Sequence, residues 1–193
     1  MQILGEAIYV DKNGRRHTVE GIGNFPDDMA VQSLKVEGDF SFEEFSCDTI
    51  KVTGECHGDS LTAKNFFVEG TLEVDSVKIA EQLNVEGSLK VANIEASEVF
   101  IESRSGSIGN IKCRSLKVFH DETSFRRPSR SRVQIKNIEA ENVHLENCKV
   151  DVIRCQEAFI GKNCAIEKLF VAGECSIAPD STVGETIHTA SDS

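Results

Sequence analysis

The sequence predicts an all-β fold: a single-stranded parallel β-helix (β-solenoid) with three short strands per turn of about 16–17 residues. Three observations predict it. Apolar or small residues recur in i, i+2 pairs, three pairs to a period. The periods open at Leu34, Ile50, Phe66, Leu83, Val99 and Leu116. A glycine column, Gly38, Gly54, Gly70 and Gly87, falls two residues after a Val in each of the first four periods.

Each observation has a structural cause. Side chains at i and i+2 of a strand share a face, so each pair is a short strand with its apolar face turned inward. One period runs Phe66, Val68, Leu72, Val74, Val77 and Ile79, and the next runs Leu83, Val85, Leu89, Val91, Ile94 and Ala96. Such spacings do not follow the 3.6-residue period of an amphipathic helix. Three strands close one turn, and stacked turns cover one another's cores, the logic of a solenoid. Glycine tolerates positive φ and suits the wide corner; Ser103 and Asn147 stand at that corner in later turns. The remaining corners are polar pairs such as Asp59-Ser60, Asp75-Ser76 and Arg114-Ser115.

The flanks and one interruption complete the organisation. Residues 1–33, with EAIYV, the turn-like DKNGRRH and TVEGIG, read as an N-terminal hairpin or cap. Residues 34–180 read as the β-helix. Inside it a basic loop, 119–132, breaks the alternation with FHDETSFRRPSRSR. Residues 181–193 read as a C-terminal tail. LFVAGECSI at 169–177 echoes IKVTGECHG at 50–58.

Composition bounds the function. A formal net charge of −11 repels nucleic-acid phosphates, which excludes a general nucleic-acid binder. MQILGEAIYV lacks a basic leader region, and no apolar stretch approaches the roughly 20 residues of a membrane-spanning helix. Seven cysteines without an export signal favour a reducing cytoplasm. No G-x-x-x-x-G-K-[ST] loop and no dinucleotide fingerprint is present, so neither cofactor nor nucleotide is expected.

Candidate chemistry is thin. Cys47, Cys113 and Cys155 share an inward column with Ala63, Ile79, Ala96 and Ala140, and Cys56, Cys148 and Cys164 share another with Phe40, Leu72 and Leu89. They read as small core residues rather than metal ligands, for which a Cys-x-x-Cys or Cys/His cluster is missing. His57 and His144 face outward, His17 and His120 fall in loops and His188 in the tail, without a triad pattern. The chain is therefore expected not to be an enzyme, with neither catalytic nor metal residues and no small-molecule substrate.

The VEG units at 36, 68 and 85, with the related VTGEC and VAGEC, spread over roughly residues 34–177. In these the chain resembles the bactofilins, polymer-forming cytoskeletal proteins of bacteria. The resemblance implies a right-handed helix. It also implies nucleotide-free, non-polar filaments that scaffold the cell envelope, in the cytoplasm or at the inner face of the membrane. The partner so implied is the chain itself, end to end, or a related bactofilin subunit.

Three sets of contact residues follow as expectations. The apolar cross-sections at the rod's ends predict a polymerisation interface of Leu34, Val36, Leu169, Phe170, Val171 and Ile177. Ile3, Leu4, Ile8 and Tyr9 are candidates for membrane contact, a property the resemblance also suggests. Arg126, Arg127, Arg130 and Arg132 form a candidate partner-contact loop on an acidic rod. The alternatives are an adaptor of the same fold that never polymerises, or a β-helix enzyme acting on polysaccharide or acyl groups.

Overall fold

A computed structural model describes residues 1–24, 31–103, 105–119 and 132–189. The described residues form one nine-stranded sheet wound into a β-solenoid, without any helix. The strands are β1 (Gln2–Asp11), β2 (Arg16–Asn24), β3 (Val31–Glu102), β4 (Gly106–Phe119) and β5 (Val133–Leu145). They continue with β6 (Cys148–Ile160), β7 (Ala165–Val171), β8 (Cys175–Ile177) and β9 (Thr182–His188).

β3 is long because it bends at corners instead of ending there. Side chains one period apart meet along it. Lys51 Nζ lies 2.7 Å from Glu69 Oε1, Lys64 Nζ 3.2 Å from Asp48 Oδ1, and Asn65 donates to Glu81 at 2.9 Å. Beyond β3 the coils pair in parallel register. On the first face Val99, Leu116, Val143, Ala158 and Cys175 follow one another. On the second face Val91, Ile108, Ile135, Val150, Ile166 and Val183 do so. On the third face Ile94, Ile111, Ile138, Ile153, Leu169 and Thr186 do so.

The inward member of nearly every pair is buried, so the core is one continuous column shared by all coils. Each coil has too little apolar surface to close a core alone, and stacking removes that surface from water at about 25 cal/mol per Å². The cysteines take part in this packing. Cys56, Cys148 and Cys164 are buried on the second face, and Cys47 and Cys155 on the third. All seven are free thiols.

The glycine column is the tightest part of the frame. Gly38, Gly54, Gly70 and Gly87 all have φ between 132° and 140°. A Cβ on Gly54 would lie 2.2 Å from the carbonyl oxygen of Gly38, and one on Gly87 2.0 Å from that of Gly70. Asn147 and Asn163 hold the wide corner farther on, at φ 55° and 57°, where a short amide side chain tolerates the left-handed region. Ser103 is not among the positive-φ residues; it is buried, and its hydroxyl donates to the Ser105 carbonyl at 2.9 Å.

At the N-terminal end β1 and β2 form an antiparallel hairpin, and β1 lies antiparallel on the first coil of β3. Ile3 pairs with Phe40, Gly5 with Gly38, Ala7 with Val36 and Tyr9 with Leu34. Gly5, at φ 136°, extends the glycine column by one rung. Below it Phe40, Phe42 and Phe45 pack ring to ring, with Phe40 centroids 4.8 and 5.2 Å from the other two. Gly58 makes room for the Phe42 ring, since a Cβ there would sit 2.3 Å from it.

Several expected boundaries move. Phe119 belongs to β4 instead of to the basic loop, held by Lys117, whose Nζ lies 4.9 Å from its ring. Residues 182–188, expected in the tail, form β9 because their backbone pairs with β7, although their side chains are mostly exposed. The 169–177 echo sits in another register. Leu169 and Val171 lie on the third face under Ile153 and Cys155, and Gly173 is not at the wide corner. His17 lies in β2, where it stacks on Tyr9 with centroids 4.6 Å apart.

Candidate functional site

The winding of the chain leaves two strand edges without a neighbour among the described residues. In the sheet order β2 stands at one end and β9 at the other, while β8 pairs only with β6. An unpaired edge presents a row of backbone N–H and C=O groups that can template another chain. These two edges form the candidate site.

The N-terminal edge is built by the hairpin. The Asp11 carboxylate closes its turn, with Oδ1 accepting the N–H groups of Asn13 and Arg15, both at 2.9 Å. The Arg15 amide, with further help from His17 and Asn13, holds the Asp11 carboxyl below the usual range. Arg16, Thr18, Glu20 and Ile22 alternate along β2 and are exposed. Ile22 pairs with Leu4, and the two form an exposed apolar contact, 67 and 48% accessible.

Charge on this end is unbalanced. Glu20 stands directly opposite Glu6, and Glu6 directly opposite Glu37. Like charges at such positions destabilise a sheet by a few tenths of a kcal/mol, up to about 1. Lys35 relieves the inner end of this row by bonding Glu37. That contact holds the Glu37 carboxyl below its ordinary range and the Lys35 ammonium above its own. Glu20, at the outer end, makes no ion pair among the described residues.

The C-terminal edge is made by β8 and β9. Ile177 in β8 is 41% exposed, and in β9 Thr182, Gly184, Glu185, Thr186 and His188 are open to solvent while Val183 and Ile187 are half-buried. Lys168 in β7 reaches Glu185 in β9 at 3.6 Å, the ion pair between the last two coils.

The expected contact residues divide accordingly. Leu34 and Val36 are not at an open end: β1 covers them, and both are buried. Leu169 and Val171 are also interior, because β9 adds a further coil beneath them. Phe170 points sideways, with Arg154 over its ring at 4.9 Å. Only Ile177 of that set lies exposed in a terminal coil. Among the candidates for membrane contact, Ile3 is buried, Ile8 and Tyr9 are half-buried, and Leu4 is exposed. They sit in the middle strand of the cap. Arg126, Arg127 and Arg130 lie outside the described residues; Arg132 is described and donates to Asn163 Oδ1 at 2.6 Å.

Residues of β2 escaped the sequence reading. The signal that could have found them is the alternation Arg16, Thr18, Glu20, Ile22, which marks a strand whose outer face is solvated.

Other chemistry-bearing groups are dispersed. His57 Nε2 lies 3.2 Å from Glu55 and its Nδ1 3.7 Å from Glu73, an outward contact across two coils. Burial pushes the thiols of Cys47 and Cys113 up to about 12 and that of Cys155 to about 11. Cys148 is raised by its contact with Cys164 in the next coil and by burial. Among the described residues no group of His, Cys, Asp or Glu could hold a metal ion, and no helix is long and apolar enough to cross a membrane. No protein-family model, curated protein or solved structure matches the chain.

Proposed function

We propose that the chain is a structural protein that self-assembles without nucleotide into non-polar filaments, serving as a bactofilin-like scaffold at the bacterial cell envelope. The observation that carries this reading is the pair of unpaired terminal strands, β2 and β9, at opposite ends of one continuous sheet. A protein that must stay monomeric usually blocks such edges with bulges, proline or a covering element.

The composition of β2 supports a symmetric joint. Two copies of β2 placed antiparallel about a two-fold axis at Thr18 bring Arg16 of each copy opposite Glu20 of the other. The contact is isologous and self-complementary. It also supplies the cation that the Glu20–Glu6–Glu37 row lacks at its outer end. A joint of this symmetry reverses the rod's direction, so a second joint through β8 and β9 yields a filament without polarity.

The deciding experiment is sedimentation with negative-stain electron microscopy of the purified chain, at physiological salt and without ATP or GTP. Elongated polymers are expected. Monomers alone at all concentrations tested would sink the proposal in favour of the adaptor reading.

A further inference from the structure

The first face carries a longitudinal groove that the end-to-end reading leaves unused. It has a volume of about 430 Å³. Its floor is an outward column of Phe100, Lys117, His144 and Phe159, which are direct neighbours on successive coils. Its rim includes Glu157 and Glu174, both exposed.

We propose that this groove docks the arginine-rich segment of a second copy, through Arg126, Arg127 and Arg130, and so joins rods side by side. Three features of the groove select a guanidinium. Phe159 is 48% exposed and is braced by the His144 ring, which meets it edge-on at 4.5 Å, so a flat aromatic face is held ready. Glu157 and Glu174 make no ion pair among the described residues. Among the described residues the one lysine lining the groove, Lys117, lies against the Phe119 ring at 4.9 Å. A planar cation that stacks on an aromatic face and forks onto a carboxylate matches such a surface; a lysine ammonium matches it less well.

Two other grooves lack this combination. One is lined by Lys78, Lys112 and Arg154 against Glu95 and Glu139, and the other balances Glu73 and Asp75 with Lys90 and Lys136. Neither includes an aromatic residue in its lining.

The occupant follows from charge and placement. In a chain of net charge −11, the run RRPSRSR is the densest cluster of cations. Its connections to the fold, Phe119 and Arg132, are both at the wide corner, where Arg132 is tied to Asn163. The carboxylate rim runs along the opposite edge of the face, with Ser115, Asn142, Glu157 and Glu174. It continues past the inserted segment toward β8, where a neighbouring rod can lie alongside.

The test uses a synthetic peptide of residues 120–131 flowed over the full-length chain. The chain is tethered sparsely on a sensor surface so that copies cannot meet. Binding is expected, weakened about tenfold by Glu157→Gln with Glu174→Gln or by Phe159→Ser, and several-fold when the peptide's arginines become lysines. These positions are exposed, and circular dichroism with a thermal melt verifies that the variants fold. Equal binding by the wild type and the groove variants, or no binding to either, overturns the proposal. So does equal binding of the lysine peptide. A chain with Arg126, Arg127 and Arg130 all changed to Ala separates the source. If the segment occupied its own groove, its high effective concentration would mask the site, and the alanine chain would bind peptide at least about tenfold more tightly. Equal affinity for the two tethered chains is the result expected for docking between copies. The titration reads the groove whether or not rods join at their ends, so the two proposals fail independently.

Discussion

A Cβ placed on Gly70 would lie 2.1 Å from the carbonyl oxygen of Gly54 in the coil above it. Each glycine of the column must therefore itself lack a Cβ, because the backbone carbonyl of the preceding coil fills that space. Gly70→Ala is expected to cost roughly 1–3 kcal/mol for the φ of 140° alone, with the clash added to it. Gly21→Ala is the control. Its φ is also positive, at 89°, but nothing lies within 4 Å of a Cβ there. Urea melts that show equal losses for the two variants would mean that the close approach is without effect.

The joint proposed at β2 makes a charge-reversal prediction. Arg16→Glu places like charges opposite each other twice across the two-fold axis. The concentration needed for assembly should rise about fivefold, given a few tenths to about 1 kcal/mol per cross-strand pair. Arg16→Glu combined with Glu20→Arg restores complementarity and should restore assembly. Sedimentation of the three proteins side by side checks it. A double variant no better than the single one would remove this register.

The hairpin turn should open in acid. Asp11 has a depressed carboxyl pKa in the folded chain, so its contribution is present above the ordinary carboxylate pKa and is lost as pH falls through the lowered value. Amide shifts of Asn13 and Arg15, followed by NMR from about pH 6 down to about pH 2, should report that loss together. In Asp11→Asn the same amides should stay nearly flat over this range.

Thiol chemistry should follow the packing. Cys56 is fully buried and its pKa is pushed far up by desolvation, whereas Cys175 is only half-buried, its thiol raised by desolvation but open to reagent on one side. The thiolate is the reacting form, so alkylation near pH 8 should modify Cys175 first and leave Cys56 and Cys148 intact until the chain unfolds. Peptide mapping after a short iodoacetamide pulse checks the order; early labelling of Cys56 would contradict the buried column.

The stacked coils were legible in the sequence where both neighbours of a coil are present. Such a coil must bury three pairs, so Phe66/Val68, Leu72/Val74 and Val77/Ile79 carry the full apolar pattern. At the ends that requirement fails. Among the described residues β9 has one neighbouring coil, and Thr182, Gly184 and Glu185 leave a polar sequence that reads as a tail although its backbone is paired. β1 was opaque for a different reason. It runs antiparallel to the coil that it covers, and Gly5 shares its corner with Gly38 from outside the repeat. The VAG at 171–173 misled because the motif resembles VEG while the chain has advanced one face. Of the candidate site, Ile177 was anticipated, but β2 was seen only as part of a cap, since an edge is defined by the absence of a neighbour.

The wide corner between the first and second faces has one more consequence. Between Val99 and Leu116 and again between Val143 and Ala158 the rungs follow at nearly the same interval. Between Leu116 and Val143, where the inserted segment lies, the interval is far longer, yet the pairing on all three faces is unchanged. The chain leaves after Phe119 and rejoins the stack at Val133 without disturbing the rungs on either side. This corner is therefore a natural graft point: a fluorescent domain or an affinity epitope placed there would project from the flank of the rod and leave both terminal edges free.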